Sequence, residues 1–462
     1  MEERPDLRPF FEPRGIVLVG ATRTPGFGYG IPLSMRRHGW GDRLFLVNPR
    51  GGELHGMRVY RKVAEVPGPA DLAVVIVPAK QVPAVMEELG QRGIRHAIVE
   101  SAGFAEAGEE GRLLQDEALR AARRHGVRVI GPNCVGVVNT ANRLATVEVL
   151  EEAMTPGGIS LVAQSGVFGN ILLDTLYERE LHVAKAVTLG NRMDVDECDV
   201  LDFLAADERT RAIAMYLEGA ADGRRLLEAL RRTTARKPVL VLKSGRTGPG
   251  RAATASHTAS LSGEDRLYDA ALRQSGALRA ETLEELIDAV RVLSALPPAR
   301  GRCLGIVTSS GSLGVLATDM AVREGLEVPP LPGEVNEALR GEVPTWINLR
   351  NPLDVGPSSY FTPALRAMLE SQAVDMVLAI TVIPYAVLRE WEPLGMDAKA
   401  WFGDIASLRE EFPYKPLAVC AVGNSAFVSG MREAAGPGVP VLTSPETAAR
   451  AMAMLYGLRR PS

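Results

Sequence analysis

Ile159-Ser160-Leu161-Val162-Ala163-Gln164-Ser165-Gly166-Val167-Phe168-Gly169 and Leu304-Gly305-Ile306-Val307-Thr308-Ser309-Ser310-Gly311-Ser312-Leu313-Gly314 follow one pattern. Each is a short apolar run, then Ser-Gly-x-x-Gly, then an amphipathic stretch. An apolar run of roughly 4–8 residues closed by glycine reads as a buried strand. Further along, Lys237-Pro238-Val239-Leu240-Val241-Leu242 is matched by Lys415-Pro416-Leu417-Ala418-Val419-Cys420. Two matches in the same order predict two copies of one flavodoxin-like domain. Upstream, strands are expected at Ile16–Val19, Leu44–Val47, Leu72–Val77, Ala97–Val99 and Val127–Ile130, with helical stretches such as Gln81–Arg92 and Glu110–His125 between them. That alternation is Rossmann-like. The chain therefore reads as α/β throughout: a Rossmann-like domain over 1–140 and two flavodoxin-like domains over 141–298 and 299–462. The boundaries fall in the Gly/Pro-punctuated stretch 132–158 and at Leu296-Pro297-Pro298-Ala299-Arg300-Gly301. A length of 462 residues fits three domains at ~150 residues each.

The net charge is −4 and no basic block occurs, so nothing favours nucleic acid or an anionic membrane as a partner. No apolar run approaches the ~20 residues of a membrane span. Met1-Glu2-Glu3-Arg4-Pro5-Asp6 is not a secretory signal. Cys134, Cys198, Cys303 and Cys420 lie far apart with no CxxC pair. A cytoplasmic chain with neither a disulfide framework nor a structural zinc site is expected.

The first strand runs into Gly20-Ala21-Thr22-Arg23-Thr24-Pro25-Gly26-Phe27-Gly28-Tyr29-Gly30 and then a helix. Glycines let a backbone approach a pyrophosphate, and a helix N-terminus offers N–H donors and a positive dipole end. A tight turn without a ligand is the plain alternative. The second strand narrows the choice. NAD sites place a carboxylate near its end for the ribose hydroxyls. Here the strand ends Val47-Asn48-Pro49-Arg50, with an Arg where an extra phosphate is met. NADP and CoA both carry such a phosphate and a pyrophosphate, and Arg50 as a solvated loop residue stays open.

The six histidines separate by context. His38 and His125 each precede a Gly at an expected helix C-terminus. His96 and His182 stand at strand entrances, and His55 lies in a Gly-rich, solvated loop. His257 sits in Gly245-Arg246-Thr247-Gly248-Pro249-Gly250-Arg251-Ala252-Ala253-Thr254-Ala255-Ser256-His257-Thr258-Ala259-Ser260, a long surface loop of small and hydroxyl residues. Such a loop can move and approach a phosphate closely. Glu218 ends the apolar strand Ala212–Leu217, at the edge where α/β sheets hold ligands. Ser165-Gly166 and Ser310-Gly311 open helices after strands and read as phosphate turns or as ordinary Ser N-caps. Gly190-Asn191-Arg192-Met193-Asp194-Val195-Asp196 lacks the later Gly and Glu of a Ca²⁺ loop, so no metal site is assigned.

At this point a family resemblance enters. The turn from Gly20 to Gly30, Val47-Asn48-Pro49, Val77-Pro78, Glu100-Ser101-Ala102-Gly103-Phe104 and Gly131-Pro132-Asn133-Cys134-Val135-Gly136 resemble the CoA-binding domain of NDP-forming acyl-CoA synthetases, relatives of the succinyl-CoA ligases. Val162-Ala163-Gln164-Ser165-Gly166 and Ser256-His257-Thr258-Ala259-Ser260-Leu261-Ser262-Gly263 resemble the ligase domain that follows, and Asn351-Pro352-Leu353-Asp354 the third domain. The resemblance implies that Gly20, Ala21, Thr22, Arg23, Gly28, Gly30, Asn48, Pro49, Arg50, Val77, Pro78, Glu100, Ser101, Asn133 and Cys134 hold CoA. It implies that His257 becomes phosphorylated, that Glu218 orients it, and that Gln164, Ser165, Gly166, Ser310 and Gly311 bind phosphate. The family interconverts acyl-CoA, ADP and phosphate with a carboxylic acid, CoA and ATP. Its split form places ADP or ATP with Mg²⁺ on a separate ATP-grasp beta chain. With the chain ending at Ser462, the split alpha subunit is expected, acting on a small carboxylic acid or its acyl-CoA. One departure stands out. The family's third-domain turn reads Thr-Asn-Ala-Gly-Gly-Pro-Gly, where this chain has Thr308-Ser309-Ser310-Gly311-Ser312-Leu313-Gly314. A non-catalytic CoA-binding regulatory protein is the other reading.

Overall fold

The structure, a computed structural model, describes residues 6–258, 264–395 and 398–458, without the side chains of 255–258, 392, 398 and 399. The chain divides into two compact units, Met1–Glu281 and Thr282–Pro461.

The first unit holds two sheets. The N-terminal one orders its strands Gly52–Leu54, Met57–Tyr60, Leu44–Val47, Ile16–Val19, Leu72–Val75, His96–Val99, Arg128–Ile130. Its strands pair in parallel except for the hairpin Gly52–Leu54/Met57–Tyr60. Ile16–Val19 is buried at every position, because helices cover both faces of a parallel sheet and leave no polar side to alternate. The hairpin is not legible in the sequence, since each arm is too short to set a period. It also corrects the place of His55. That residue turns the hairpin at φ +50, is half-buried, and packs its ring edge-on to Tyr29 at 5.5 Å. His38 and His125 are the C-cap residues of helices Ile31–Arg37 and Glu109–Arg124, as read.

The second sheet orders Leu278–Ala280, Val239–Lys243, Ala212–Leu217, Ile159–Ala163 and Val183–Thr188, all parallel. The Gly/Pro-rich segment before it is structured. It adds Val137–Asn139 antiparallel to Val183–Thr188, and then Leu144–Ala145. The two sheets share one hydrophobic core, in which Leu18 and Ile98 join Val162, Val187 and Ile213. Each such side chain contributes about 1.5–3 kcal/mol on burial. Phe11, in helix Arg8–Phe11, stacks on Phe203 at 5.0 Å. Its carbonyl accepts from Asn139 and Asn142 at 3.0 and 2.9 Å.

The second unit has one parallel sheet ordered Leu353–Asp354, Leu304–Thr308, Met376–Thr381, Leu417–Ala421, Val441–Leu442. Counted within its own domain, this order is 2-1-3-4-5, and the parallel strands of the second sheet give the same order. That is the flavodoxin-like order, so the internal repeat read from the paired motifs is a repeat of topology. Among the described residues no helix is long and apolar enough to cross a membrane.

Candidate functional site

In an open α/β sheet, ligands settle at the carboxyl ends of the strands where the strand order reverses. Each sheet here has one such crevice, and the sequence-selected residues gather at them.

In the first sheet the crevice lies between Ile16–Val19 and Leu72–Val75. Gly20 has φ +102, and a Cβ on it would stand 2.8 Å from the Ile76 carbonyl oxygen. No other residue fits there without moving backbone. Above Gly26 nothing lies within 4 Å of where a Cβ would stand, which leaves that face of the turn open. Thr22 Oγ1 accepts from Thr24 N at 3.1 Å, and Ala21 is buried. Asn48 acts as a latch. Its Nδ2 donates to the Ala21 carbonyl at 2.9 Å and its Oδ1 accepts from Arg50 N at 3.0 Å. Arg23 donates to the Gly51 carbonyl at 2.6 Å and to the Glu53 carbonyl at 3.0 Å, so its guanidinium ties the turn to the hairpin. Pro49 and Arg50 are exposed. Gly30 N–H donates to Glu148 Oε1 at 3.0 Å. The start of helix Ile31–Arg37 thus meets the protein's own carboxylate, where sequence reasoning expected a ligand anion.

Across the crevice, Ser101 Oγ donates to the Val77 carbonyl at 2.6 Å, fixing the Val77-Pro78 bend. Asn133 adopts φ +59 and donates its N–H to the Ser101 carbonyl at 3.0 Å. Beneath them lies Glu100, 4% exposed, with no partner for either carboxylate oxygen among the described residues. Burial, then the charge of Glu148, hold its carboxyl well above the ordinary carboxylate range. Burial, then Glu100, push the neighbouring Cys134 thiol up as well. A pH prediction follows from Glu100. The folded chain keeps a proton there that the unfolded chain releases near the ordinary value of 4.5. Stability therefore falls as pH rises from that value toward the folded one. Glu100→Gln has no such loss. Its melting temperature relative to the parent is expected to climb with pH, and thermal melts from acid to neutral pH showing a constant difference would contradict this.

In the second sheet the crevice lies between Ile159–Ala163 and Ala212–Leu217, and Gln164 and Glu218 face each other across it. Gln164 Oε1 accepts from Glu218 N at 2.7 Å and Gly219 N at 3.1 Å, while its Nε2 donates to the Gly219 carbonyl at 2.8 Å. Lys243 Nζ donates to the Glu218 carbonyl at 2.8 Å. Arg192 Nη1 donates to the Gly219 carbonyl at 2.8 Å, and the Tyr268 hydroxyl accepts from Ala220 N at 3.0 Å. The backbone around Glu218 is thus held from several directions. Its side chain is 3% exposed, and Oε2 has no partner among the described residues. A buried carboxylate oxygen without a donor is costly, so this one is available to a further donor. Burial raises the Tyr216 phenol; Ser244 opposes the shift and Glu218 adds to it. Lys243, 2% exposed, lies 4.5 Å over the Tyr268 ring, and burial pulls it down to about 8. Ser165 caps helix Gly166–Glu178, its Oγ accepting from Phe168 N at 3.5 Å.

His257 falls where side chains are not described, but its backbone belongs to helix Gly248–Thr258. That corrects the expectation of a loop through this stretch. Ala252, Ala253 and Ala255 favour helix, and Thr247 Oγ1 accepts from Gly250 N at 3.1 Å at its start. Residues 259–263 of the same motif lie outside the described residues. The acidic loop joins the two sheets of the unit. Asp194 Oδ2 accepts from Arg128 Nε at 2.7 Å and Val129 N at 2.9 Å, and Asp196 caps helix Glu197–Ala206.

The third crevice differs. Ser309, the counterpart of Gln164, accepts from Val382 N at 2.8 Å through Oγ. Thr381-Val382 stands where the second sheet has Leu217-Glu218, so the carboxylate has no counterpart. A Cβ on Gly311 would lie 2.8 Å from Asp354 Oδ2. The anion position at the Ser310-Gly311 turn is thus bordered by a protein carboxylate, at odds with a bare phosphate turn.

Sequence reasoning missed Lys243, Arg192, Tyr268 and Glu148. Lys243 carried a usable signal, since it ends an apolar strand at the same sheet edge as Glu218.

Comparison with known proteins agrees with the domain order and the fold. Residues 14–140 match the CoA binding domain family and residues 156–293 the succinyl-CoA ligase like flavodoxin domain family. The alpha subunit of ADP-forming acetate–CoA ligase I from Pyrococcus furiosus is 35% identical over 458 residues, covering 97% of either chain. ADP-forming acetate–CoA ligase II from Archaeoglobus fulgidus is 33% identical, over 95% of this chain and 65% of that one. The dinucleotide-forming acetyl-coenzyme A synthetase 1 of Ca. Korarchaeum cryptofilum, in its apo form, superposes with a TM-score of 0.88 at 30% identity, covering 98% of both chains. Its complex with phosphate and ADP gives the same TM-score. The chain belongs to the family of ADP-forming acetate–CoA ligase alpha subunits, within the succinyl-CoA ligase-like group.

Proposed function

We propose that this chain is the CoA-binding, phosphate-relaying subunit of an ADP-forming acid–CoA ligase. The observation that carries this is Glu218, a buried carboxylate with an unpartnered oxygen at the reversal point of the second sheet. It shares one compact unit with the CoA turn and with the helix that bears His257. Phosphate attacks the thioester carbonyl and releases CoA, leaving an acyl phosphate. A ring nitrogen of His257 then attacks phosphorus and the carboxylic acid leaves. Glu218 accepts the other ring N–H and so fixes the tautomer. The Gln164-Ser165-Gly166 turn, at the start of helix Gly166–Glu178, supplies N–H donors and a positive dipole end to the phosphoryl group. Ser310 and Gly311 are given no part in this relay, because the Asp354 carboxylate stands beside their turn. ADP, with Mg²⁺, is bound by an ATP-grasp beta chain and receives the phosphoryl group there.

CoA lies along the open Gly20–Gly30 turn, with Arg50 meeting the 3′-phosphate. An exposed arginine just beyond strand Leu44–Val47, whose guanidinium has no hydrogen bond or ion pair among the described residues, supports this. A charge-assisted hydrogen bond to phosphate is worth about 1.5 kcal/mol or more, close to tenfold in affinity. Titration calorimetry on the chain is expected to show CoA binding roughly tenfold tighter than 3′-dephospho-CoA, a gap that Arg50→Ala removes. Binding of NADP without binding of CoA would overturn the assignment.

A further inference from the structure

Glu100 is a buried acid that no structural partner uses. Its oxygens are shielded from water and have no donor among the described residues. Its position is informative. A Cβ on Gly136 would stand 2.9 Å from Glu100 Oε1 and 1.9 Å from Thr146 Oγ1, so only glycine lets the chain pack this closely against the carboxyl. Glu148, which adds to the charge felt by Glu100, accepts from Gly30 at the end of the CoA turn. On the other side, a Cβ on Gly166 would lie 3.3 Å from Val135 Cγ1 and 3.5 Å from the Cys134 carbonyl carbon. The phosphate turn therefore packs against residues 134–135, immediately before Gly136. Glu100 thus sits in the stretch between the end of the Gly20–Gly30 turn, through Glu148, and the Gly166 turn, through residues 134–136.

We propose that Glu100 is the acid–base group for the CoA thiol, an inference that rests on the ligase function proposed above. A phosphate oxygen bonds to the acyl carbon, and the C–S bond breaks with its electron pair on sulfur. The Glu100 carboxyl gives its proton to the thiolate. The proton lost by hydrogen phosphate on acylation restores Glu100. In synthesis the order reverses: Glu100 gives its proton to the phosphate oxygen that leaves the acyl carbon, and the resulting carboxylate takes the thiol proton as the C–S bond forms. A carboxyl kept neutral by burial holds a proton that it can give to a developing thiolate.

The test uses the complex of this chain with its ATP-grasp partner. One arm follows ATP made from acetyl-CoA, phosphate and ADP. The other follows ATP made from acetyl phosphate and ADP, which bypasses the thiol. Glu100→Gln keeps the shape of the neutral acid. It is expected to slow the first arm by about 100-fold or more and to stay within about tenfold of the parent in the second. Equal losses in both arms, or an unaffected first arm, would overturn the assignment. A parent complex silent in both arms would count against the ligase function itself.

Discussion

The His257→Ala chain, assembled with its partner, is expected to make no ATP from acyl-CoA, ADP and phosphate and to take up no acid-labile phosphate from ATP. A covalent carrier splits one transfer into two, and without the nucleophile neither half proceeds. CoA affinity is expected to be unchanged, since the CoA turn lies on the first sheet and His257 on a helix that follows the fourth parallel strand of the second domain. Glu218→Gln sharpens the test. The Gln164 clamp binds the backbone at 218–219 and not the carboxylate, so the substitution leaves the local fold in place. It removes the charge that supports the reacting imidazole, at a cost of roughly 10²–10⁴ in rate. Full labelling of His257→Ala would refute the assignment, and label on Ser or Thr would move the nucleophile to another residue. Acid lability with alkali stability separates the two chemistries.

The chain alone is expected to bind CoA yet make no ATP, and adding the ATP-grasp chain is expected to raise turnover from background to its full rate. The three crevices hold the Gly20–Gly30 turn, the Gln164–Gly166 turn paired with Glu218, and a third turn bordered by Asp354, and none of them is proposed above to hold the nucleotide. The relative from Archaeoglobus fulgidus gives the same motive. This chain matches 65% of its length, whereas it matches 97% of the alpha subunit from Pyrococcus furiosus. Robust ATP formation by the rigorously purified single chain would show that the nucleotide site has been misassigned.

The architecture was legible wherever burial forces a uniform pattern. Ile16–Val19, Ile159–Ala163 and Leu304–Thr308 are apolar at nearly every position because both faces of their sheets are covered. The repeat was legible because both copies place Ser-Gly after the first strand, and the topology then agrees strand for strand. Glu218 was legible because a carboxylate closing an apolar strand has few structural uses. The rest depended on distant partners. Glu148 reaches Gly30 across 118 residues of chain, and Gln164 holds Gly219 from 55 residues away. No local pattern encodes such pairs. The hairpin at Gly52–Tyr60 was too short to announce itself, and the helix bearing His257 was hidden by the glycine and hydroxyl residues around its alanines. Arg23, assigned to CoA only by the family resemblance, also ties its guanidinium to two backbone carbonyls, a structural use that no local pattern announced.

The central claim is that one histidine of this chain carries phosphate between the thioester and the nucleotide. The most direct measurement is mass spectrometry of the assembled complex, with peptide mapping of this chain, after exposure to acetyl-CoA plus phosphate in one sample and to ATP in another. The account predicts a single phosphate on the peptide containing His257 in both samples, discharged by ADP in the first and by acetate plus CoA in the second. A phosphate that forms from only one side, or that resides on any other residue, would contradict it.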